Sequence, residues 1–299
     1  MVMLIPDARR GLLGGLVDDA TLLGATVPDI DRVVDEYRML RAGTHGWMVS
    51  RLVVPVSLLE DLAGVLIRTM GGGDSPIPIV AVFDGHTASD ASTASMFHAT
   101  MDPAARIEVV RLTAGDGGTV PGVVEAANAT RGIHHDVVPM IPVSPAAEAA
   151  PIVEAVRAAK AAILHSVGVV LGLPPKATDV AHLASSIRAC VATSVPFMIQ
   201  AERFPVSTVV DPSTEHITVG VTNLLAAVLD SGATPAETVS ILCDDEPGVH
   251  TISFAGVARR GESLRTGRSI GADRSPLLSL SARDPAATIV AMGSLDLSA

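Results

Sequence analysis

Aromatic side chains are almost missing from this chain: five Phe, one Trp and one Tyr make up 2% of 299 residues. Tyr37 and Trp47 are too few to make a stacking platform for bases. Basic residues are also short, with 21 Lys and Arg against 32 Asp and Glu and a net charge of −11. Such a chain attracts neither nucleic acid nor an anionic membrane. There are two cysteines, Cys190 and Cys243. Neither sits in a CxxC, which argues against a cysteine-built zinc site and for a reducing, cytoplasmic compartment. Hydrophobic residues reach 48% and the mean hydropathy is +0.44. Yet no run of about 18 apolar residues is free of polar breaks, so no transmembrane helix is expected. The start, "MVMLIPDARRGLL", lacks a basic region ahead of a long apolar core, so no signal peptide is expected.

The common catalytic and cofactor motifs are absent too. No GxGxxG follows the first strand signal, and "GGGDS" at 71–75 comes after a helix and before a strand, the wrong order for a dinucleotide turn. No GxxxxGK[ST], GxSxG or HExxH occurs. "GVVLGLPPK" ends in Lys but has proline where a phosphate cradle needs backbone N–H groups.

What is present is a rhythm. With few aromatics the core must be Val, Leu, Ile and Ala, the filling of parallel strands covered on both faces. "PDIDRVVDEYRMLRAG" has helical spacing, with Pro28 near its start and Gly43 as a C-cap. "WMVSRLVVP" reads as the first strand, and Ser57 with Glu60 reads as a capping box opening the next helix. "IPIVAVF", "RIEVVRL", "HDVVPMIPV", "VGVVLGL", "VPFMIQA", "GVHTISFAGV" and "PLLSLSA" complete about eight strand signals, mostly parted by helical stretches. One of these stretches runs from about Ser213 to Leu229, and the last opens on Asp284 as N-cap. Val- and Ile-rich strands without alternation, separated by helices, predict a parallel sheet. At this length a (β/α)8 barrel, perhaps irregular, is favoured over an open doubly wound sheet. No linker divides the chain, so 1–299 reads as one domain, with 1–45 a helical lead into the first strand.

Chemistry in such folds sits at the C-terminal ends of the strands. In "PFMIQAERFP" the strand ends on Gln200, Glu202 and Arg203. Glu202 is a candidate general base and Arg203 a candidate anion contact, with His216 and Asn223 on the segment that follows. In "FDGHTASD", Asp84, His86 and Asp90 could converge, with His86 as a second proton carrier. The plainer reading is a polar loop in which Ser89 or Asp90 caps a helix. Arg51 lies mid-strand, where it must meet an anionic ligand or a salt bridge to Asp18 or Glu202. Asp18 and Asp19, read as helical neighbours, point about 100° apart and need not share a proton. His134 and His135, read as strand residues, face opposite sides and rarely hold one metal. No metal site is therefore assigned, and no cofactor is named.

Several stretches taken together resemble a family of uncharacterised bacterial and plant proteins. "LVDDATLLGATVPDIDRVVDEYRMLRAG" with "GWMVSRLVVPVSLLEDL" is similar to that family's "DYAGLFPPA"-like start and "WMLGRFVVP"-like strand. "VPFMIQAERFP" is similar to "VPFKATAGLHHP", "GVTNLLAAVL" to "GFLNLLAA", and "LSLSARDPAATIVAMGSL" to "GSCSFDEPVEDLRALGLL". Asp18, Trp47, Arg51, Pro205, Gly220, Asn223 and Ser279 match. The family's Lys falls on Met198, its Thr on Gln200, its two His on Arg203 and Phe204, and a further His on Val219. Its Arg-Thr-Gly-Gly turn falls on Leu171–Pro175. The resemblance implies a barrel-like α/β fold whose polar cluster is largely lost here. The expectation is a diverged barrel, weak or inactive as an enzyme, binding a small anionic molecule or a partner subunit. Arg51, Arg203, Asp18, Gln200 and Asn223 would line its ligand. The alternatives are a lyase-, aldolase- or isomerase-type enzyme with a rebuilt site, or an interaction subunit of a homo-oligomer.

Overall fold

The structure is a computed structural model that describes residues 7–24, 26, 28–69, 71, 75–112, 119–144, 149–159, 166–211, 213–246, 248–253, 256–266, 274 and 276–297. Parts of several sequence readings lie outside them: residues 72–74 of "GGGDS", residues 146–148 and 160–165 of the stretch "AAEAAPIVEAVRAAKAAILHS", which reads as a helix, and residues 254–255 of "GVHTISFAGV".

Eight parallel strands close into a barrel. They are β1 (Val17–Asp19), β2 (Val49–Pro55), β3 (Ile77–Val82), β4 (Ala105–Arg111), β5 (Val138–Val143), β6 (Gly168–Gly172), β7 (Phe197–Ala201) and β13 (Leu277–Ala282). β13 pairs with both β7 and β1, and β1 pairs with β2, which shuts the ring. Helices fill the crossovers: α2 (Ile30–Ala42), α3 (Leu59–Thr69), α4 (Thr87–Met101), α5 (Val120–Arg131), α6 (Ala150–Ala159) and α7 (Val180–Thr193). α10 (Pro285–Leu297) follows the last strand, and the short α1 (Ala8–Leu13) precedes the first. This is a (β/α)8 TIM-barrel-like architecture, as the strand–helix rhythm predicts.

The long link from β7 to β13 departs from that rhythm. It carries the hairpin β8 (Val209–Asp211) and β9 (His216–Thr218), then α8 (Val221–Leu229) and α9 (Pro235–Cys243). An antiparallel sheet of β10 (His250–Ser253), β11 (Gly256–Arg259) and β12 (Glu262–Thr266) follows. The single strand expected over "GVHTISFAGV" is instead parts of two antiparallel strands, β10 and β11, outside the barrel. The eighth barrel strand is Val17–Asp19, inside the segment read as a helical lead. Its two aspartates hide it: they carry no β signal, yet both are buried. The helix expected from Ser213 begins only at Val221, because His216–Thr218 is spent on the hairpin. Ser57 forms no capping box with Glu60, since its backbone N–H and hydroxyl both donate to the Asp84 carboxylate. Asp284 does cap α10, accepting from the Ala287 N–H at 3.0 Å.

Two apolar layers result. Between barrel and helices lies a large core that includes Leu52, Val54, Ile79, Ile107, Phe197 and Ile199. Within the barrel is a separate ring: Ala20, Val53, Val80, Val109, Met140, Val170 and Met198. The lumen is therefore plugged, not a pore. Gly168 makes room for the plug, since a Cβ there would lie 2.5 Å from both the Met140 sulfur and the Pro196 carbonyl.

Candidate functional site

The apolar ring divides the barrel's polar interior into two ends. Toward the N-terminal ends of the strands sits a neutralised cluster. Arg51 lies two residues before the ring member Val53 on β2, and Asp18 two residues before Ala20, just past the end of β1, and so both face the lumen. The Arg51 Nε donates to Asp18 Oδ1 at 3.0 Å and its Nη2 to Oδ2 at 3.3 Å, while the Arg51 backbone N–H also donates to Oδ1. The Ser279 hydroxyl donates to Asp18 Oδ2. All three residues are buried. The Arg274 Nη1 donates to the Leu12 and Gly14 carbonyls at the end of α1. Burial, and after it the nearby charge of Arg51, lowers the Arg274 pKa to about 10. Both oxygens of the Asp18 carboxylate accept from protein partners, so the geometry is that of an internal strut.

Asp19 points the other way, as successive strand residues must. Its Oδ1 accepts from the Thr21 N–H at 3.0 Å and the Thr21 hydroxyl at 2.7 Å. Burial raises its pKa above the ordinary aspartate value, outweighing the two Thr21 hydrogen bonds. It lines a groove of about 650 Å³ outside the barrel, between α2 and α10. The acids of that groove are already engaged: Asp19 by Thr21, Glu36 by Arg32 at 2.7 Å, and Asp284 by its own helix.

The opposite end of the lumen opens into a cavity of about 370 Å³ at the C-terminal ends of β4 to β7. Val170 of the ring lines it, together with Pro142 and Gly172. Its charged residues are Arg111, Glu202 and Arg283, with Gln200 beside them. Two backbone hydrogen bonds hold the exits of β7 and β13 side by side. The Arg283 N–H donates to the Ala201 carbonyl at 3.2 Å, and the Asp284 N–H to the Glu202 carbonyl at 2.8 Å. The Arg283 Nη1 then meets Glu202 Oε2 at 3.5 Å. Arg111 is the last residue of β4, with its carbonyl fixed by the Phe83 N–H at 2.8 Å. Among the described residues its guanidinium has neither an ion pair nor a hydrogen bond. Burial, and then repulsion from Arg283, lowers its pKa. Two guanidiniums thus face one carboxylate, and Glu202 is largely turned to water, with its side chain 71% exposed.

The predicted residues scatter over these environments. Gln200 and Glu202 reach the mouth cavity. Arg51 and Asp18 are brought together, but with each other. Arg203 is exposed and does not line the cavity. His86 is exposed at the start of α4, its side chain making no capping bond, while the Asp90 carboxylate accepts from the Gly85 N–H at 2.8 Å. Asn223 is fully buried and fully used. It accepts from the Thr208 N–H at 2.9 Å and donates to the Ile241 and Asp244 carbonyls at 2.8 Å each. His216 lies on β9, where it bridges to Lys176. Sequence reasoning missed Arg111 and Arg283. Both follow the rule that was applied to the ends of β3 and β7: a charged residue at the C-terminal end of a barrel strand.

No protein-family model, curated protein or solved structure matches this chain. The arguments for function are therefore those of the site's own geometry. No helix among the described residues is long and apolar enough to cross a membrane.

Proposed function

We propose that this chain is a barrel that binds a small anionic molecule at its C-terminal mouth, held by Arg111 and Arg283, with weak or no catalysis. One observation carries the reading. Arg111 is a half-buried guanidinium with no partner among the described residues, in a cavity whose other cation already shares the one acid of the described lining. A partly desolvated charge without a counter-charge carries a cost, and a bound carboxylate or phosphate would relieve it with charge-assisted hydrogen bonds. The cavity lies within the usual size range of small-ligand pockets, roughly 300–1,000 Å³. Gln200 supplies a neutral donor beside the two arginines.

The weak-catalysis half rests on the remaining lining. Among the described lining residues there is no His, Cys, Ser, Thr, Tyr or Lys. Glu202 is the one proton acceptor with a suitable side chain, and it is ion-paired and open to water. Where the resembled family carries Lys, Met198 belongs to the apolar plug, which agrees with a frame that has kept its shape and lost its acid–base groups.

Isothermal titration with inorganic phosphate and with a small dicarboxylate tests the reading. Saturable binding that Arg111→Ala weakens at least tenfold supports it. Binding that survives both Arg111→Ala and Arg283→Ala rules it out. Turnover of an anionic metabolite that Glu202→Gln abolishes would keep the site and replace the function with the enzyme alternative.

A further inference from the structure

On the opposite face of the barrel, next to the N-terminal end of β5, His134, His135 and Asp136 each bring one ligand atom within 4.8 Å of the others. If these residues were on a strand, the two rings would face apart. They are instead in the turn that links α5 to β5. There the two imidazoles face each other with centroids 4.1 Å apart and planes tilted by 39°. His135 Nε2 lies 3.4 Å from Asp136 Oδ1, and His134 Nδ1 lies 3.8 Å from Asp136 Oδ2. We propose that His134, His135 and Asp136 bind a borderline divalent transition-metal ion such as Zn²⁺, fastening the turn that feeds β5.

Three features support a metal over a chance cluster. First, the donor set is two imidazoles and a carboxylate, which suits Zn²⁺, Ni²⁺ or Cu²⁺ and not Mg²⁺. Second, the turn already holds the donors together, since the Asp136 N–H donates to His134 Nδ1 at 3.2 Å, a bond that a metal at that nitrogen would replace. Third, His134 has a supporting neighbour. The buried His98 stacks on it at 5.2 Å and 24°, and its own Nδ1 accepts from the Ile107 N–H at 3.2 Å. The stacked ring limits how far the His134 imidazole can turn.

Two costs are visible and small. Metal ligands sit about 2.0–2.2 Å from Zn²⁺, so the three donors must draw together slightly. Asp136 also pairs with Arg106 at 3.3 Å, but both side chains are exposed, and such pairs contribute about 0–1 kcal/mol. The site faces away from the mouth, so its role is stabilising, independent of the anion reading.

The test is a titration of the full chain with Zn²⁺ at neutral pH, by calorimetry and thermal unfolding, with Mg²⁺ as the hard-cation control. The expected result is one saturable site and a rise in Tm with Zn²⁺ but not with Mg²⁺, because an ion that binds only the native state stabilises it. His135→Ala and Asp136→Asn alter exposed side chains and leave the fold intact, and each should weaken Zn²⁺ at least tenfold. Absence of Zn²⁺ binding at millimolar metal overturns the proposal. So does binding that both variants leave unchanged, which would place the metal elsewhere.

Discussion

Two inward-facing arginines on one barrel have opposite fates, and the difference lies in what stands next to them. Arg51 meets Asp18 on the adjacent strand and is consumed by it. Among the described residues Arg111 meets no acid. Removing one partner of a buried pair strands the other, so Arg51→Ala should cost about 3–5 kcal/mol in urea unfolding. Arg111→Ala strands nothing and removes an unpaired, half-buried charge, so its stability should be unchanged or higher. Asp19 supplies a pH signature. Its folded pKa is raised by burial, so its ionisation works against the fold as the pH climbs past the ordinary aspartate value of 3.8. Asp19→Asn keeps an acceptor for Thr21. It should therefore raise Tm at neutral pH, with the gain shrinking as the pH falls toward 3.8, and a pH series of melting curves checks the sign. At this scale the sequence was only partly legible. That Arg51 needs a partner follows from its mid-strand position. Which end of the barrel an arginine faces depends on where the apolar ring falls, and that is settled only when seven strands are assembled.

Individual elements were read best where they are long. β2 to β7 are recognisable runs of Val and Ile, and their positions agree with the structure. β1 escaped because three residues with two acids carry no strand signal of their own; burial against Arg51 and Thr21 makes it a strand. β10 was taken for a barrel strand because its apolar content matches, although its partner is the antiparallel β11. The elements between β7 and β10 depend on one side chain. Asn223 on α8 ties the chain ahead of β8 to the end of α9 through three hydrogen bonds. Its replacement by Ala leaves a buried N–H and two carbonyls unmatched and should cost about 2–4 kcal/mol. Hydrogen exchange should localise the loosening to α8, α9 and the β8–β9 hairpin, with the barrel strands still protected. Uniform loss of protection across all strands would mean that the insertion and barrel unfold as one unit. Asn223 was picked from sequence as a ligand contact. A buried Asn with all its groups satisfied looks the same in a sequence as one that awaits a substrate.

The whole molecule is an acidic chain that keeps a small excess of positive charge at one end of its barrel. With a net charge of −11, long-range attraction of anions is weak, so affinity at the mouth must come from short contacts in a desolvated cavity. Raised salt should accordingly affect the on-rate little. The barrel follows from composition and rhythm, because scarce aromatics and repeated Val/Ile runs leave few other ways to build a core. The site does not follow, because its residues come from β4, β7 and the exit of β13, and only closure of the ring brings them together. The most direct test is a crystal soaked in selenate, with anomalous scattering used to locate the anion. The account predicts a selenium peak at the C-terminal mouth within hydrogen-bond distance of Arg111 and Arg283, and no peak there in an Arg111→Ala crystal. An empty mouth in the wild type, or a peak beside Arg51 instead, would contradict it.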